Sequence, residues 1–345
     1  MTSETIPAYA PGLVATDEVL FARDGVLGRV LLNRPRVINA LTDDMVASIR
    51  AQLDAWVDDP GIQSVSIEGA GDRGLCAGGD ILAVRRAVLG DGDPTGFWAR
   101  EYDLNEAIAD YPKTVVAVMD GIVMGGGVGL SAYASLRLAT ERSRIAMPET
   151  KIGFSPDVGA LYLLARAPGQ LGTHLALTGT TIDGPDAVAV GLADAVVPSA
   201  EVPRLLESLA EGADTLDLGP AVGPSRLVAQ RGWIDECYAG DDPAVVLTRL
   251  QASPEPEARK AAALLEQRSP LSVAVALEAI RRARGMASLR EVLDQDLVVG
   301  TNLARRGDLV EGVRALLVDR DKAPRWKHGS IFDLSRAEVL AMFEA

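Results

Sequence analysis

Two short stretches decide the fold: Cys76-Ala77-Gly78-Gly79-Asp80 and Met124-Gly125-Gly126-Gly127-Val128-Gly129. Each follows an apolar, β-prone run, Val65–Glu68 in the first case and Thr114–Met119 in the second. Each precedes a helical pattern, which begins at or near Asp80 in the first and at Leu130 in the second. Strand, glycine turn and helix, repeated, predict α/β layering around parallel strands. Glycine lets other groups approach the backbone closely and permits unusual dihedral angles. The first residues of a helix carry unpaired N–H donors. Two such donors from different turns can converge on one carbonyl oxygen and stabilise charge developing on it. Tight packing explains the same glycines, and the turns alone do not separate the two readings. A phosphate loop needs Gly-Lys-Ser/Thr after its glycines, which neither turn has, and the dinucleotide fingerprint fits the second turn badly.

Outward from the turns, Leu20–Arg23 and Val26–Asn33 predict a hairpin turning at Asp24-Gly25, which Pro35 stops. Thr42-Asp43 opens a helix with Met45, Ile49, Leu53 and Trp56 at helical spacing. Residues 95–110 predict an amphipathic helix carrying Phe97, Glu101, Leu104, Asn105 and Ile108. Leu136–Thr140 and Arg144–Met147 read as short strands. Residues 1–16 read as a tail. From about residue 201 the pattern becomes helical, with a Gly/Asp/Pro-rich connector at 212–224. Helices are expected over 243–251, 256–267, 271–284 and 288–306, broken by Gly307-Asp308, with a short one near 309–318. The expected organisation is a core over residues 17–200 and a C-terminal helical region over 201–345.

The 345 residues are 48% hydrophobic but only 4% aromatic, so the core must be built from Ala, Val, Leu and Ile. The net charge of −14 makes most of the surface repel nucleic acid and anionic membranes. A local helix N-terminus or basic patch can still hold a phosphate-bearing small ligand. Two distant cysteines, Cys76 and Cys237, imply neither a disulfide framework nor a zinc site, and no His/Asp/Glu cluster has metal-ligand spacing. Cys76 beside the first turn is expected to be a small buried residue rather than a nucleophile. Met1 to Gly12 lacks the pattern of a signal peptide and no apolar run is long enough for a bilayer, so a cytoplasmic location is expected.

These stretches also occur in family order. Leu32-Asn33-Arg34-Pro35 with Asn39-Ala40-Leu41, both glycine turns, and Met147-Pro148-Glu149-Thr150 together resemble the crotonase (enoyl-CoA hydratase/isomerase) superfamily over residues 18–200. A narrower resemblance is to the 3-hydroxyisobutyryl-CoA hydrolase family. It rests on Arg100-Glu101-Tyr102, on the stretches Ala146–Thr150 and Ile152–Gly159, and on Gly307–Asp321 ending at Pro324-Arg325-Trp326. The resemblance implies a ββα spiral core with a C-terminal α-helical region.

It further implies an acyl-CoA thioester hydrolase of valine catabolism, with the ester carbonyl held by the amides of Gly79 and Gly126. Glu149 would act as nucleophile or as general base for water; the sequence leaves both open. Asp157 would face the same pocket and handle a proton, although an Asp before the Ala160-Leu161 run also reads as a helix N-cap. Glu101 would line the acyl pocket beside the substrate hydroxyl, while the competing reading is one charge on a helix face. Arg36, Val37, Ala77, Gly79, Asp80 and Ile81 would meet the CoA moiety, with Arg34 a further candidate cation. The resemblance implies no cofactor beyond the CoA of the substrate, and a homo-oligomer, trimeric or hexameric. Similar hydratases carry a second catalytic Glu where this chain has Gly129, which disfavours hydration. An enoyl-CoA hydratase or isomerase and a non-catalytic acyl-CoA-binding protein remain the alternatives. Ser155, and Ala160-Leu161 in place of further glycine, depart from the hydrolase pattern and leave the acyl preference open.

Overall fold

The computed structural model describes residues 8–90, 92, 94–219 and 223–344. Residues 1–7 of the expected tail and residues 220–222 of the 212–224 connector therefore lie outside the described residues. The predicted hairpin forms from β1 (Val19–Asp24) and β2 (Leu27–Leu32), paired antiparallel. Gly25 supplies the left-handed turn with φ 56°. β3 (Ser64–Gly69), β4 (Thr114–Met119), β6 (Leu136–Thr140) and β8 (Ala195–Val197) continue the sheet in the order β1-β2-β3-β4-β6-β8, every pair after the first parallel.

Alternation along β4 shows why both faces must be covered. Val115, Ala117 and Met119 enter the main core, while Val116 and Val118 join a second cluster under Leu205, Leu206 and Leu209 of the helix Val202–Ala210. The main core is one cluster of buried side chains running from Val19 to Met342.

A second, two-stranded parallel sheet pairs β5 (Ile122–Met124) with β7 (Arg144–Ala146). The sequence predicts no strand between Met119 and the second glycine turn. The chain breaks from β4 into β5 at Gly121, whose φ is 63° and where a Cβ would lie 2.7 Å from the Arg73 carbonyl. A three-residue strand created by that turn has no periodicity of its own to read.

Thr42 caps α1 (Asp43–Val57) by accepting from the Met45 N–H, and Met45, Ile49, Leu53 and Trp56 are buried. Asp80 caps α2 (Ile81–Leu89). α3 spans Thr95–Ala109. The second glycine turn differs from expectation: α4 spans Gly126–Ser131, so the glycines are the helix itself rather than the loop before Leu130. The reason is crowding. A Cβ at Gly127 would lie 2.5 Å from the Cys76 carbonyl, so α4 packs directly on the first glycine stretch.

The C-terminal helices fall at Pro243–Ala252, Pro256–Glu266, Pro270–Ala283 and Leu289–Ala304, close to the expected ranges. Proline opens the first three, and Asp242, Ser269 and Ser288 are side-chain N-caps. The helix Asp308–Val313 passes into a π-helical turn over Arg314–Val318. No helix among the described residues is long and apolar enough to cross a membrane.

Candidate active site

The two glycine stretches meet at the floor of a cleft of about 570 Å³. Of the candidate site residues named from the sequence, Gly79, Gly126, Glu101, Glu149, Asp157, Arg36, Val37, Ala77, Asp80 and Ile81 line it, whereas Arg34 does not. Gly126 is the first residue of α4, where no intrahelical acceptor exists for its N–H. Neither its N–H nor that of Gly79 donates to an acceptor among the described residues. A Cβ at Gly126 would lie 3.3 Å from Gly79 N, so the two donors flank one small space.

Three carboxyls surround that space. Glu149 opens a short 3₁₀ turn, Glu149–Ile152, and its Oε1 stands where a Cβ on Gly125 would be 2.9 Å away. Its Oε2 is buried without a partner among the described residues, as is Glu101 Oε1. Glu101 is only 2% exposed, which removes the reading of a charge on an open helix face. Its Oε1 would be 2.3 Å from a Cβ on Gly126. Asp157 completes the group, its Oδ2 accepting a 2.7 Å hydrogen bond from the Tyr102 hydroxyl. It is not the N-cap of the following helix α5 (Ala160–Leu164), whose cap is Gly159. Asp296 of the helix Leu289–Ala304 instead accepts the Gly159 N–H at 2.9 Å, and the Tyr133 hydroxyl donates to the Gly159 carbonyl at 2.5 Å. These clamps hold a loop in which Val158 adopts φ 52°, a conformation β-branched residues resist.

Burial first, and then the neighbouring Asp157 charge, push Glu149 and Glu101 well above the usual carboxylate range. Asp157 is pushed up to about 7 by burial, against which the Tyr102 hydrogen bond pulls down. Between its unfolded value of 3.8 and about 7, the folded chain therefore binds more protons than the unfolded one. Its stabilising contribution is full at low pH and is lost as pH rises through about 7. Asp157→Asn removes that loss, so the variant should gain on the parent by roughly 2–3 kcal/mol between about pH 5 and about pH 8. Urea unfolding at the two pH values checks this; an equal difference at both would refute the assignment.

Burial also pushes the Cys76 thiol up to about 12, with Sγ donating to the Asn39 carbonyl at 3.2 Å. It is a packing residue, as the sequence suggested.

Arg34 does not serve as a free cation. It pairs with Glu18 at 3.0 Å and Asp80 at 3.2 Å, and donates to the Ala40 carbonyl, bracing the first glycine turn. The cations facing the cleft are Arg36, Arg73, Lys151 and Arg320, none of them in an ion pair among the described residues. Of these the sequence pointed only to Arg36. It also missed Tyr102, Asp296, Trp98 and Phe154. A spacing signal existed for one: Glu101, Tyr102 and Asn105 put polar groups on the apolar face of α3.

Gly129 faces the interior. A Cβ there would lie 2.8 Å from Val158 Cβ and 2.9 Å from Asn105 Nδ2. Gly129→Glu should lower the unfolding free energy by roughly 2 kcal/mol or more through overpacking. A lower urea midpoint checks this, together with the absence of gained crotonyl-CoA hydration. Among the described residues no group of three His, Cys, Asp or Glu side chains has the arrangement to hold a metal ion.

A family model described as enoyl-CoA hydratase/isomerase matches residues 27–343. The mitochondrial 3-hydroxyisobutyryl-CoA hydrolase of Danio rerio is 37% identical over 346 residues, covering 96% of this chain and 90% of the relative. The crystal structure of a carnitinyl-CoA dehydratase from Mycobacterium thermoresistibile is similar with a TM-score of 0.90 and 42% identity, over 96% of this chain and 97% of that one. That of an enoyl-CoA hydratase from Rhodobacter sphaeroides 2.4.1 has a TM-score of 0.91 and 40% identity, over 95% and 97%. The names of these similar proteins span hydrolysis, dehydration and hydration, so the reaction has to be read from the site.

Proposed function

The chain belongs to the enoyl-CoA hydratase/isomerase family, and from that premise we propose that it hydrolyses an acyl-CoA thioester, 3-hydroxyisobutyryl-CoA, in valine catabolism. The observation that carries this reading is the crowding at Gly129, which leaves no room for a second acid beside the glycine helix. Adding water across a double bond needs an acid and a base placed together at the alkene carbons. Cleaving a thioester needs an oxyanion hole, one group to attack or to activate water, and a proton for the departing thiolate.

In this reading the thioester oxygen accepts from the Gly79 and Gly126 amides, which stabilise the negative charge of the tetrahedral intermediate. Glu149 either attacks the carbonyl carbon, giving a mixed anhydride that water then opens, or takes a proton from the attacking water. In both routes the C–S bond breaks and CoA leaves as thiolate. Asp157, held near neutrality and oriented by Tyr102, is suited to give that thiolate its proton. Glu101 meets the 3-hydroxyl of the acyl group.

Coenzyme A is part of the substrate. Its phosphates would be met by Arg36 with Arg73, Lys151 and Arg320, and its pantetheine and adenine by the backbone around Val37, Ala77 and Ile81. Asp80 contributes through its backbone, because its carboxylate already caps α2 and pairs with Arg34. Homo-oligomeric assembly and a cytoplasmic location belong to the same proposal.

Release of free thiol from 3-hydroxyisobutyryl-CoA by the purified chain tests the reading. It predicts steady release that is absent in a Glu149→Gln control. Release equal to the control would overturn it.

A further inference from the structure

The lining of the cleft includes an aromatic pair. Trp98 and Phe154 both line it, with ring centroids 5.0 Å apart and planes inclined by 29°. They are delivered by the same two segments that carry the carboxyls. Trp98 lies three residues before Glu101 on α3, one helical turn away on the same face. Phe154 lies three residues before Asp157, and its N–H donates to the Glu149 carbonyl at 3.1 Å. The rings thus share their segments with Glu101 and Asp157 and line the same cleft as these carboxyls.

The pair also has no retreat. Behind it stands Gly300 of the helix Leu289–Ala304, where a Cβ would lie 2.8 Å from Phe154 Cζ and 3.8 Å from Trp98 Cε3. The rings are only 4% and 5% exposed. A longer acyl chain would therefore meet a wall backed by helix rather than a mobile side chain, because close-packed interiors do not yield cheaply.

We propose that the Trp98–Phe154 stack, seated against Gly300, is the specificity-determining floor of the acyl chamber and confines the site to short acyl groups. This rests on the acyl-CoA reading above and adds the residues that set chain length. A straight chain that passed the floor would gain burial with each methylene. With the stack in place, that gain is denied.

The test is calorimetric binding of butyryl-, hexanoyl- and octanoyl-CoA to the full chain carrying Glu149→Gln, so that no ester turns over. With the stack intact, affinity should fall by about 10-fold or more from butyryl to octanoyl, because the longer chain meets a close-packed wall and must be held in a strained or displaced pose. Adding Phe154→Ala or Trp98→Ala should raise the octanoyl-to-butyryl affinity ratio by about 10-fold or more. An unchanged ratio in a folded variant overturns the proposal. Should both truncations fail to fold, Gly300→Ala decides: it pushes the ring into the chamber and must weaken butyryl-CoA binding, and unchanged binding overturns the proposal. Because the readout is affinity, a shifted ratio in a chain whose parent form hydrolyses no ester would sink the hydrolase reading and leave the floor standing.

Discussion

Glu149→Gln should lower the rate of thioester cleavage by about 1000-fold while leaving thermal stability unchanged or slightly raised. Both halves follow from the same geometry. Glu149 is 6% exposed and, among the described residues, pairs with no cation and has one oxygen without a partner. Burial pushes its carboxyl well above the usual carboxylate range, which favours the neutral form whose shape Gln supplies. No ion pair is lost and no cavity opens. The chemistry has no such tolerance. A carboxylate whose proton is hard to remove is a strong base and nucleophile once ionised, and the amide can fill neither role. Single-turnover thiol release, with calorimetric affinity for the ester measured alongside, checks the prediction. A loss of activity accompanied by unfolding, or a loss of only a few-fold, would remove Glu149 from the centre of the account.

The second large effect is expected at Gly126. Gly126→Ala should reduce kcat/KM by about 100- to 1000-fold, the loss expected when one donor of an oxyanion hole is disabled. Gly126 has ordinary helical dihedrals, so an alanine there carries no backbone strain and helix propensity favours it. The methyl would nevertheless sit 2.3 Å from Glu101 Oε1, 3.1 Å from Leu41 Cδ1 and 3.3 Å from Gly79 N. It fills the space in which the carbonyl oxygen must lie and drives the Glu101 side chain aside. Steady-state kinetics with a circular-dichroism melt separate the two effects: activity should collapse with the melting temperature nearly unchanged. A variant that retains most of its activity would mean the carbonyl is held elsewhere.

What could be read from the chain in advance was local. The hairpin, the capped starts of α1 and α2, and the four long C-terminal helices rest on turn residues, caps and apolar spacing, all within a few residues of one another. The glycine turns were visible, but whether their glycines served packing or chemistry was not. Gly127 and Gly129 are required by packing, while Gly126 and Gly79 keep N–H donors that pair with nothing among the described residues. What could not be read depended on distant segments. Glu101 became a buried group only because α3 turns that face into the cleft. Arg34 was removed from the candidate cations by Glu18 and Asp80. The N-cap reading of Asp157 failed because Asp296, far along the chain, takes the loop N–H instead. No window of sequence around residue 157 contains that partner.

The central claim, that this family member cleaves a thioester rather than hydrating an alkene, is tested most directly by comparing two rates on one enzyme preparation. One is free thiol released from 3-hydroxyisobutyryl-CoA, and the other is loss of enoyl absorbance with crotonyl-CoA. The account predicts kcat/KM for thiol release at least about 100-fold above that for hydration, the margin expected where hydration lacks an acid at the Gly129 position. Rapid loss of enoyl absorbance with no thiol released would contradict it.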